Sequence, residues 1–263
     1  MLPVRIVTYN LRMNTPHDGE NSFDNRKKLI REKLLGTEPK PDIFCFQEAL
    51  PDMLQWLKEL LGEQYASVGF GRMADFGDEA NPIFFRRERF CLHGFEQIWL
   101  SPTPYEPGSR FPQQSLCPRI CVCAVLKPSD GAPIRVFNTH LDNPPEAEAA
   151  RMEGLKLIFH FIAEQNAKRD MPFVLTGDFN AVPDSETLRL VYDNRDLHLK
   201  DVTADIPVSY HAYGNEPPVK IDYILVPEKA RVGEVSAWKD YDGVHYLSDH
   251  YPIEAEIISF SEE

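Results

Sequence analysis

The chain has 263 residues, 43% of them hydrophobic, and no apolar run approaches the roughly 18 residues of a membrane span. Its 28 basic and 41 acidic residues give a formal charge of −13, which argues against nonspecific binding of long duplex DNA. We expect one soluble domain over residues 1–263. The odd number of cysteines, mostly in apolar segments, and the absence of an export signal from the N-terminal sequence predict a cytoplasmic location.

The first sixty residues predict two successive strand and helix units. A strand at about 4–9 is followed by a helix at 24–35, and Gly36 stands where a chain usually leaves a helix through a left-handed residue. A second strand ends at Glu48, and Pro51 begins a helix with leucines at helical spacing.

The middle of the chain changes to short apolar runs separated by glycine, proline and charged turns. The runs are 66–70, 83–85, 90–100 and 120–126. This pattern predicts a mainly antiparallel sheet. The proline-rich segment 101–118 has little periodicity, which predicts a long loop that overhangs a functional site.

The second half again combines helices with strands. A long helix is predicted to begin near Pro145, and a short helix follows Ser185. Strands are expected at 172–177, 220–226, 232–238 and 251–259. The two halves have similar content without an alignable repeat, so the pattern predicts a two-sheet α/β sandwich with outer helices.

Six polar segments lie at the ends of these strand-like runs, and they carry the most information about function. The segments are 7–10, 42–48, 136–142, 175–180, 220–226 and 248–253. Their polar residues are Asn10, Glu48, His140, Asp178, Asn180, Asp222, Asp249 and His250. Hard oxygen ligands combined with imidazoles are what metal-assisted attack on a phosphate requires. The pattern therefore indicates a metal-dependent hydrolase.

In this order, the six segments resemble the motifs of the endonuclease/exonuclease/phosphatase superfamily of DNase I-like enzymes. The resemblance covers Asn10 to Ile257. Gly-Asp-Phe-Asn at 177–180 is weak evidence by itself, but six motifs in order are specific. The resemblance implies a four-layer α/β sandwich, with two mixed, mainly antiparallel sheets packed face to face between outer helices. It also implies Mg²⁺-dependent cleavage of phosphate esters, with Mn²⁺ as a possible substitute.

Metal ligands follow from the same resemblance. It implies that Glu48 binds the ion, that Asn10 adds an amide oxygen, and that Asp249 gives a further contact. By position alone, Glu48 is also consistent with capping the helix that begins at Pro51.

Asp178 and Asn180 share a face if the chain is extended there, so that both reach one phosphate. Taken singly, the same motif equally indicates a tight turn.

The two histidines are expected to handle protons and charge. By resemblance, Asp222 orients His250, and His140 donates to a phosphate oxygen. Whether His250 or Asp178 accepts the proton of the attacking water stays open, with a small preference for His250. A histidine at a strand end is, by itself, more often a structural hydrogen-bonding residue.

Three residues are predicted to bind the substrate. The family resemblance implies that Arg119 reaches the site, where it would grip a phosphate, and that Trp99 borders the cleft. His245 is close enough to His250 in sequence to line the pocket. The alternatives are a surface ion pair for the arginine and a core position for the tryptophan.

A phosphorylated small molecule or a short nucleic acid is therefore the expected substrate, as a phosphodiester or a phosphomonoester. The alternatives are an apurinic or DNase-like endonuclease acting on duplex DNA, and a catalytically silent binding module. A zinc site at Cys117, Cys121 and Cys123 is disfavoured because the usual Cys-x-x-Cys turn is missing.

Overall fold

A computed structural model describes residues 3–260, so the outermost residues of the expected 1–263 domain lie outside the described part. The strands, in chain order, are β1 (Val4–Asn10), β2 (Ile43–Gln47), β3 (Tyr65–Val68), β4 (Ile83–Arg86), β5 (Phe90–Trp99), β6 (Ile120–Pro128), β7 (Ile134–His140), β8 (Phe173–Asp178), β9 (Leu199–Asp201), β10 (Asp222–Pro227), β11 (Arg231–Ala237) and β12 (Ile253–Ser259). The α-helices are α1 (Phe23–Gly36), α2 (Pro51–Leu61), α3 (Glu148–Lys168) and α4 (Glu186–Tyr192). Within residues 3–260, no helix is both long enough and apolar enough to cross a membrane.

The strands form two six-stranded sheets. Their orders are β11-β12-β1-β2-β4-β3 and β5-β6-β7-β8-β10-β9. The pairs β1/β2 and β7/β8 are parallel, and the other strand pairs of the two sheets are antiparallel. Each sheet therefore has one parallel pair at its centre, where the connection returns through a helix.

Three apolar clusters separate four layers. One cluster, with Ile6 and Val136, fills the space between the sheets. A second joins the first sheet to α1 and α2, and a third joins the other sheet to α3 and α4. Because side chains alternate along a strand, Ile6 faces the other sheet while Val7 faces the helices. The predicted four-layer sandwich with mixed, mainly antiparallel sheets is confirmed.

Two local predictions were wrong. The runs between residues 65 and 126 do not form one sheet, because β3 and β4 belong to the first sheet and β5 and β6 to the second. Apolar runs indicate strands without identifying their partners, and the chain changes sheets between Arg86 and Phe90. In addition, Gly36 remains helical and extended Thr37 ends α1, with its N–H bonded to the Lys33 carbonyl.

The parallel pairs carry polar residues to the same edge of the sandwich. Asn10 pairs with Gln47 at the end of β1 and β2, and His140 pairs with Asp178 at the end of β7 and β8. Strand β10 runs antiparallel to β8 and begins at Asp222, directly opposite Asp178. The polar strand ends therefore meet where the two sheets face each other.

An amide bridge connects the two sheets just below this edge. The Gln47 side chain of the first sheet donates to Asn138 Oδ1 of the second at 2.7 Å. Asn138 Nδ2 returns a hydrogen bond to the Phe46 carbonyl at 2.8 Å and reaches the Asn81 carbonyl at 3.1 Å. Both amide side chains are fully buried, so the hydrogen bond between them satisfies polar atoms that water cannot reach.

Replacing Asn138 by leucine should destabilise the fold, because Gln47 and the Phe46 carbonyl lose a buried partner. We expect a loss of about 1–3 kcal/mol in the free energy of unfolding, measured by urea denaturation. The control Asn215→Ala, at an exposed position, should leave the unfolding midpoint unchanged. Equal midpoints for N138L and the wild type would contradict a stabilising role for the bridge.

Candidate active site

The turns that leave the strands hold polar residues in an uncommon backbone conformation. Arg12, Glu48 and Asn180 have φ of 55°, 59° and 48°, in the left-handed region that non-glycine residues rarely occupy. Each lies one or two residues beyond the end of β1, β2 or β8. Such conformations cluster at functional sites, where surrounding contacts hold them in place.

His250 and Asp222 form a buried ion pair. His250 Nδ1 lies 2.8 Å from Asp222 Oδ2, and both side chains are almost fully buried. Burial alone would lower the pKa of His250, but Asp222, with Asp178 and Asp249, raises this pKa to about 10. The imidazole therefore carries a proton at neutral pH, and its Nε2 edge is left to face Asp178 at 3.7 Å.

Asp178 lies between the two histidines. Its Oδ2 atom is 3.7 Å from His250 Nε2 and 3.6 Å from His140 Nε2, and it accepts from Asn10 Nδ2 at 2.9 Å. Burial raises the pKa of Asp178 to about 7, with Asp222 adding to the effect and His250 opposing it. A carboxylate with a pKa near neutrality can accept or release a proton under ordinary conditions.

The other side of the cluster contains hard oxygen donors. Glu48 accepts hydrogen bonds from Asn10 Nδ2 at 3.0 Å and from the Met13 N–H at 2.8 Å. Burial raises the pKa of Asp249, His250 opposes this, and Glu48 adds to it. Arg12 provides a positive charge, since its Nε atom is 3.7 Å from Asp249 Oδ2.

These donors suit a divalent cation. Carboxylate and carboxamide oxygens are the preferred ligands of Mg²⁺ and Mn²⁺, and a dication would offset the repulsion between Glu48 and Asp249. Asp178, Asp222 and His250 form a second group of possible metal ligands, whose ligand atoms all lie within 4.8 Å of one another. The hydrogen bond between His250 and Asp222 already explains that grouping, so we favour Glu48, Asn10 and Asp249 as the metal side.

A cleft beside His140 contains three charged residues, Arg72, Glu79 and Arg119. Of these, only Arg119 was predicted from the sequence. Arg72 forms a two-pronged ion pair with Glu79, at 2.8 and 2.7 Å. Arg119 binds Asp142 at 3.2 Å, and it lines the same cleft as Arg72, Glu79 and His140. Burial and then Arg119 and Arg72 lower the pKa of His140, which is therefore neutral.

Glu79 and Arg72 gave no signal in the sequence, because they stand in an irregular segment without periodicity between β3 and β4. Burial raises the pKa of Glu79 to about 7, and Glu48 adds to this while Arg72 opposes it. The Oε2 atom of Glu79 is 3.9 Å from His140 Nδ1. The cleft thus contains three charged side chains yet is almost closed to solvent.

The loop at 101–118, which is predicted to overhang a functional site, approaches this cleft. Its Ser115 donates from both N–H and Oγ to the Asp142 carboxylate, two residues beyond His140. The loop is therefore anchored beside the site.

The Gly-Asp-Phe-Asn turn differs from the extended geometry predicted for it. The Asn180 N–H donates to Asp178 Oδ1 at 2.8 Å, and its side-chain amide donates to the Leu141 carbonyl at 3.1 Å. The segment is a tight turn, the alternative that the motif alone had left open. Asn180 still lies beside Asp178, because the turn folds it back.

Gly177 has a steric reason to be glycine. Its φ is +147°, and a Cβ there would come within 1.9 Å of the Thr139 carbonyl oxygen on the paired strand β7. The absence of a side chain lets β7 and β8 remain in register where His140 meets Asp178.

Two predicted substrate-binding residues are not brought to the cluster. Trp99 is only 4% exposed, and its indole N–H donates to the Arg72 carbonyl at 2.6 Å. His245 pairs with Asp242 at 3.4 Å. A different histidine, His211, lies next to the site, since its main-chain N–H donates to the Asp249 carbonyl at 2.8 Å.

His211 was missed because it matches no motif. Its ring stacks on Tyr251 at 4.2 Å and contacts Tyr246 at 4.7 Å. Burial, with a contribution from His250, lowers its pKa to about 4. Tyr210 covers His250 from the same side, with ring centroids 5.0 Å apart.

Fold and site together define a DNase I-like α/β sandwich with an acidic, histidine-containing centre. The chain matches the Endonuclease/Exonuclease/phosphatase family over residues 7–250 and belongs to it.

Known proteins that resemble this chain support the assignment. An endonuclease/exonuclease/phosphatase structure from Bacteroides vulgatus superposes with a TM-score of 0.89 and 28% identity, covering 98% of this chain and 100% of that one. A mannosyl-6-phosphatase from Bacteroides thetaiotaomicron gives a TM-score of 0.85 and 25% identity, covering 97% and 99%. Nocturnin of Drosophila melanogaster is 27% identical over 175 residues, 62% of this chain and 25% of that protein. The chain spans about a quarter to a third of the length of the curated relatives it matches.

The raised pKa of His250 predicts how stability depends on pH in metal-free protein. Because the folded protein holds this proton up to about pH 10, stabilisation by the pair is complete below the unfolded pKa of about 6.5 and is lost as pH rises between these values. The raised pKa of Asp178 also makes stability fall as the pH rises, but at lower pH, up to about 7. The measurement therefore uses about pH 7.5 and about pH 9.5.

The measurement is urea unfolding of wild type and H250A in the presence of EDTA. The stability advantage of wild type over H250A should shrink at the higher pH. A matched variant at an exposed histidine, H160A, should show no such change. A wild-type advantage that is the same at both pH values would contradict the ion pair.

Proposed function

We propose that this protein is a Mg²⁺-dependent phosphohydrolase that cleaves a phosphate ester by in-line attack of water. The observation that carries the proposal is the arrangement around Asp178. This carboxylate faces both His140 and His250 within 3.7 Å and is linked through Asn10 to Glu48. A proton acceptor, two histidines that can stabilise negative charge and hard metal ligands thus lie around the Asp178 carboxylate. Hydrolysis of a phosphate ester requires these groups together.

Each polar side chain has a proposed role. Asp178 orients the attacking water and accepts its proton, since its pKa of about 7 suits a base near neutrality. Protonated His250 stabilises negative charge on the phosphoryl group, and Asp222 holds its Nδ1–H. This distribution reverses the small preference for His250 as the base, because Asp222 keeps that imidazole charged.

The remaining contacts orient the phosphate. Neutral His140 would donate to a phosphoryl oxygen, and one N–H of the Asn180 amide is available for another, since the turn uses the other for the Leu141 carbonyl. Held by Glu48, Asn10 and Asp249, a dication would offset charge on the phosphate and lower the pKa of bound water. Mn²⁺ has the same preference for oxygen ligands and is proposed as a substitute.

We propose a small phosphorylated molecule or a short single-stranded nucleic acid as substrate. Arginines near the site are paired with carboxylates: Arg12 with Asp18, Arg72 with Glu79, and Arg119 with Asp142. Paired guanidiniums offer little attraction to a long polyanion.

Arg119 nevertheless retains one donor for a single phosphate. Its Nη1 atom is buried and has no hydrogen-bond partner within residues 3–260. The relative that is a mannosyl-6-phosphatase, similar over 97% of this chain, supports a small phosphomonoester as the first compound to test.

We also propose a cytoplasmic location. All five cysteines are free thiols, and Cys121 and Cys123 pack in the apolar layer between the second sheet and α3. Free thiols are typical of a reducing compartment. Their apolar surroundings also give the zinc alternative no support.

The proposal predicts metal-dependent release of p-nitrophenol. Wild type should hydrolyse p-nitrophenyl phosphate or bis-p-nitrophenyl phosphate with Mg²⁺ or Mn²⁺, and excess EDTA should abolish the reaction.

Glu48→Gln should weaken Mg²⁺ binding in calorimetry while the melting temperature is kept, because the amide retains the shape of the side chain and loses its charge.

Parallel reactions separate the alternatives. Cleavage of an abasic DNA duplex in preference to both small esters would replace our substrate class by an endonuclease. No hydrolysis of any substrate by folded protein, with Mg²⁺ bound, would indicate a silent binding module. Unchanged Mg²⁺ affinity in E48Q would remove Glu48 from the metal site.

The pair of His250 and Asp222 should act as one unit. His250→Ala should lower turnover by roughly 10² to 10⁴, and Asp222→Asn should reduce turnover more than substrate affinity. Once His250 is alanine, the second substitution should add little, since the carboxylate works through the imidazole. A double-mutant cycle on the turnover number tests this. Losses that multiply would mean that Asp222 has a separate task.

A further inference from the structure

Arg26 is a fully buried cation whose partners are main-chain carbonyls. It lies in the first turn of α1 and is 0% exposed. Its guanidinium donates to the carbonyls of Asn21 at 2.8 Å, Leu11 at 2.9 Å, Arg12 at 3.0 Å and Leu247 at 2.6 Å. No carboxylate within residues 3–260 forms an ion pair with it.

Three of these four carbonyls belong to two segments that carry residues of the site. Leu11 and Arg12 directly follow Asn10, on the proposed metal side. Leu247 comes immediately before Ser248, in the segment that continues to Asp249 and His250. One planar side chain therefore ties together two loops that are more than two hundred residues apart in sequence.

The third segment strengthens this connection. Asn21 ends the short helix at Pro16–Asn21, and Asp18 within it holds the Arg12 side chain through two hydrogen bonds of 2.9 Å. Arg12 in turn donates its N–H to Asn10 Oδ1 at 2.9 Å and approaches Asp249. Arg26 thus supports the left-handed turn at Arg12 on which the position of Asn10 depends.

The choice of arginine has a physical reason. Burying a positive charge is costly unless its donors are satisfied, and charge-assisted hydrogen bonds are roughly twice as strong as neutral ones. The guanidinium presents its donors in a rigid fork, whereas a lysine ammonium is one point on a flexible stem. Only the fork can hold carbonyls of all three segments at fixed mutual distances.

We propose that Arg26 is a positioning residue that sets the spacing between Asn10 and the loop that carries Asp249 and His250. The inference rests on the proposed function in assigning catalysis to those loops. Arg26 itself is too deeply buried to contact a substrate, so it acts through Asn10, Arg12 and the segment from Leu247 to His250.

A second buried arginine provides a matched control. Arg135, 3% exposed, likewise binds main-chain carbonyls, those of Gln165 at 2.8 Å and Arg169 at 2.9 Å. It lies at the start of β7, whereas His140 is at the end of that strand. Replacing it should therefore cost stability without moving the site.

The experiment compares R26K with R135K. Both should melt at lower temperature than wild type. Only R26K should lower kcat, by about 10- to 10²-fold, because a misplacement of about 1 Å has effects of that size. Its KM should change little, since Arg26 holds neither Arg119 nor His140.

Two further measurements do not require turnover. Calorimetry should show that R26K binds Mg²⁺ about 10-fold more weakly. Hydrogen exchange of metal-free protein should speed up together in residues 11–13 and 247–250 of R26K, and in neither segment of R135K.

Wild-type kcat, Mg²⁺ affinity and loop exchange in R26K would overturn the inference, and so would the same functional losses in R135K. If R26K does not fold, hydrogen exchange of the wild type still decides, because segments held by one guanidinium should open together. The amides of 11–13 and 247–250 should then show the same opening free energy, and independent opening of the two segments would overturn the proposal. Should wild type hydrolyse nothing, the proposed function fails, while Mg²⁺ affinity and hydrogen exchange still decide the role of Arg26.

Discussion

The structure depends on keeping several carboxylates together in a place that water hardly reaches. Asp178, Asp222 and Asp249 are all at most 6% exposed, and burial of like charges is unfavourable unless partners compensate. One imidazolium and a set of amide and main-chain N–H groups offset part of that cost here. The remaining excess of negative charge favours a bound cation, so the unfavourable burial and the proposed chemistry have one origin.

The two sheets make such a concentration of charge possible because their strands hold the main chain in place where the polar side chains meet. Each sheet delivers donors from a central parallel pair, and the buried amides of Gln47 and Asn138 hold the pairs together below the site. Asp178, Asp222 and His140 stand on the strands themselves, which are more precise supports than loops.

Much of this arrangement could be predicted from the sequence, and what was missed has a common cause. Asp178, His140 and Asn10 end regular strands, where an apolar run followed by a polar residue is visible locally. Their shared position came from the family resemblance, because no single strand identifies its neighbours. Glu79 reaches the site from an irregular segment, so nothing in its local sequence distinguishes it from an exposed acid.

The same limit explains the errors. Trp99 was assigned to the cleft because its strand segment resembles one that borders the cleft in the family, but which face of a strand meets solvent depends on the layer packed against it. The conformation of Asn180 depends on the neighbouring Asp178 carboxylate and also on the Leu141 carbonyl of another segment. In both cases a deciding contact lies far away in sequence.

Gly177 separates two meanings of a short motif. The glycine lacks a side chain because two main chains come close together there, whereas Asp178 and Asn180 have proposed roles in hydrolysis. A related sandwich without hydrolysis would still need the glycine but could change the two polar residues. Within this architecture the glycine therefore indicates the fold, and only the polar residues that follow it bear on activity.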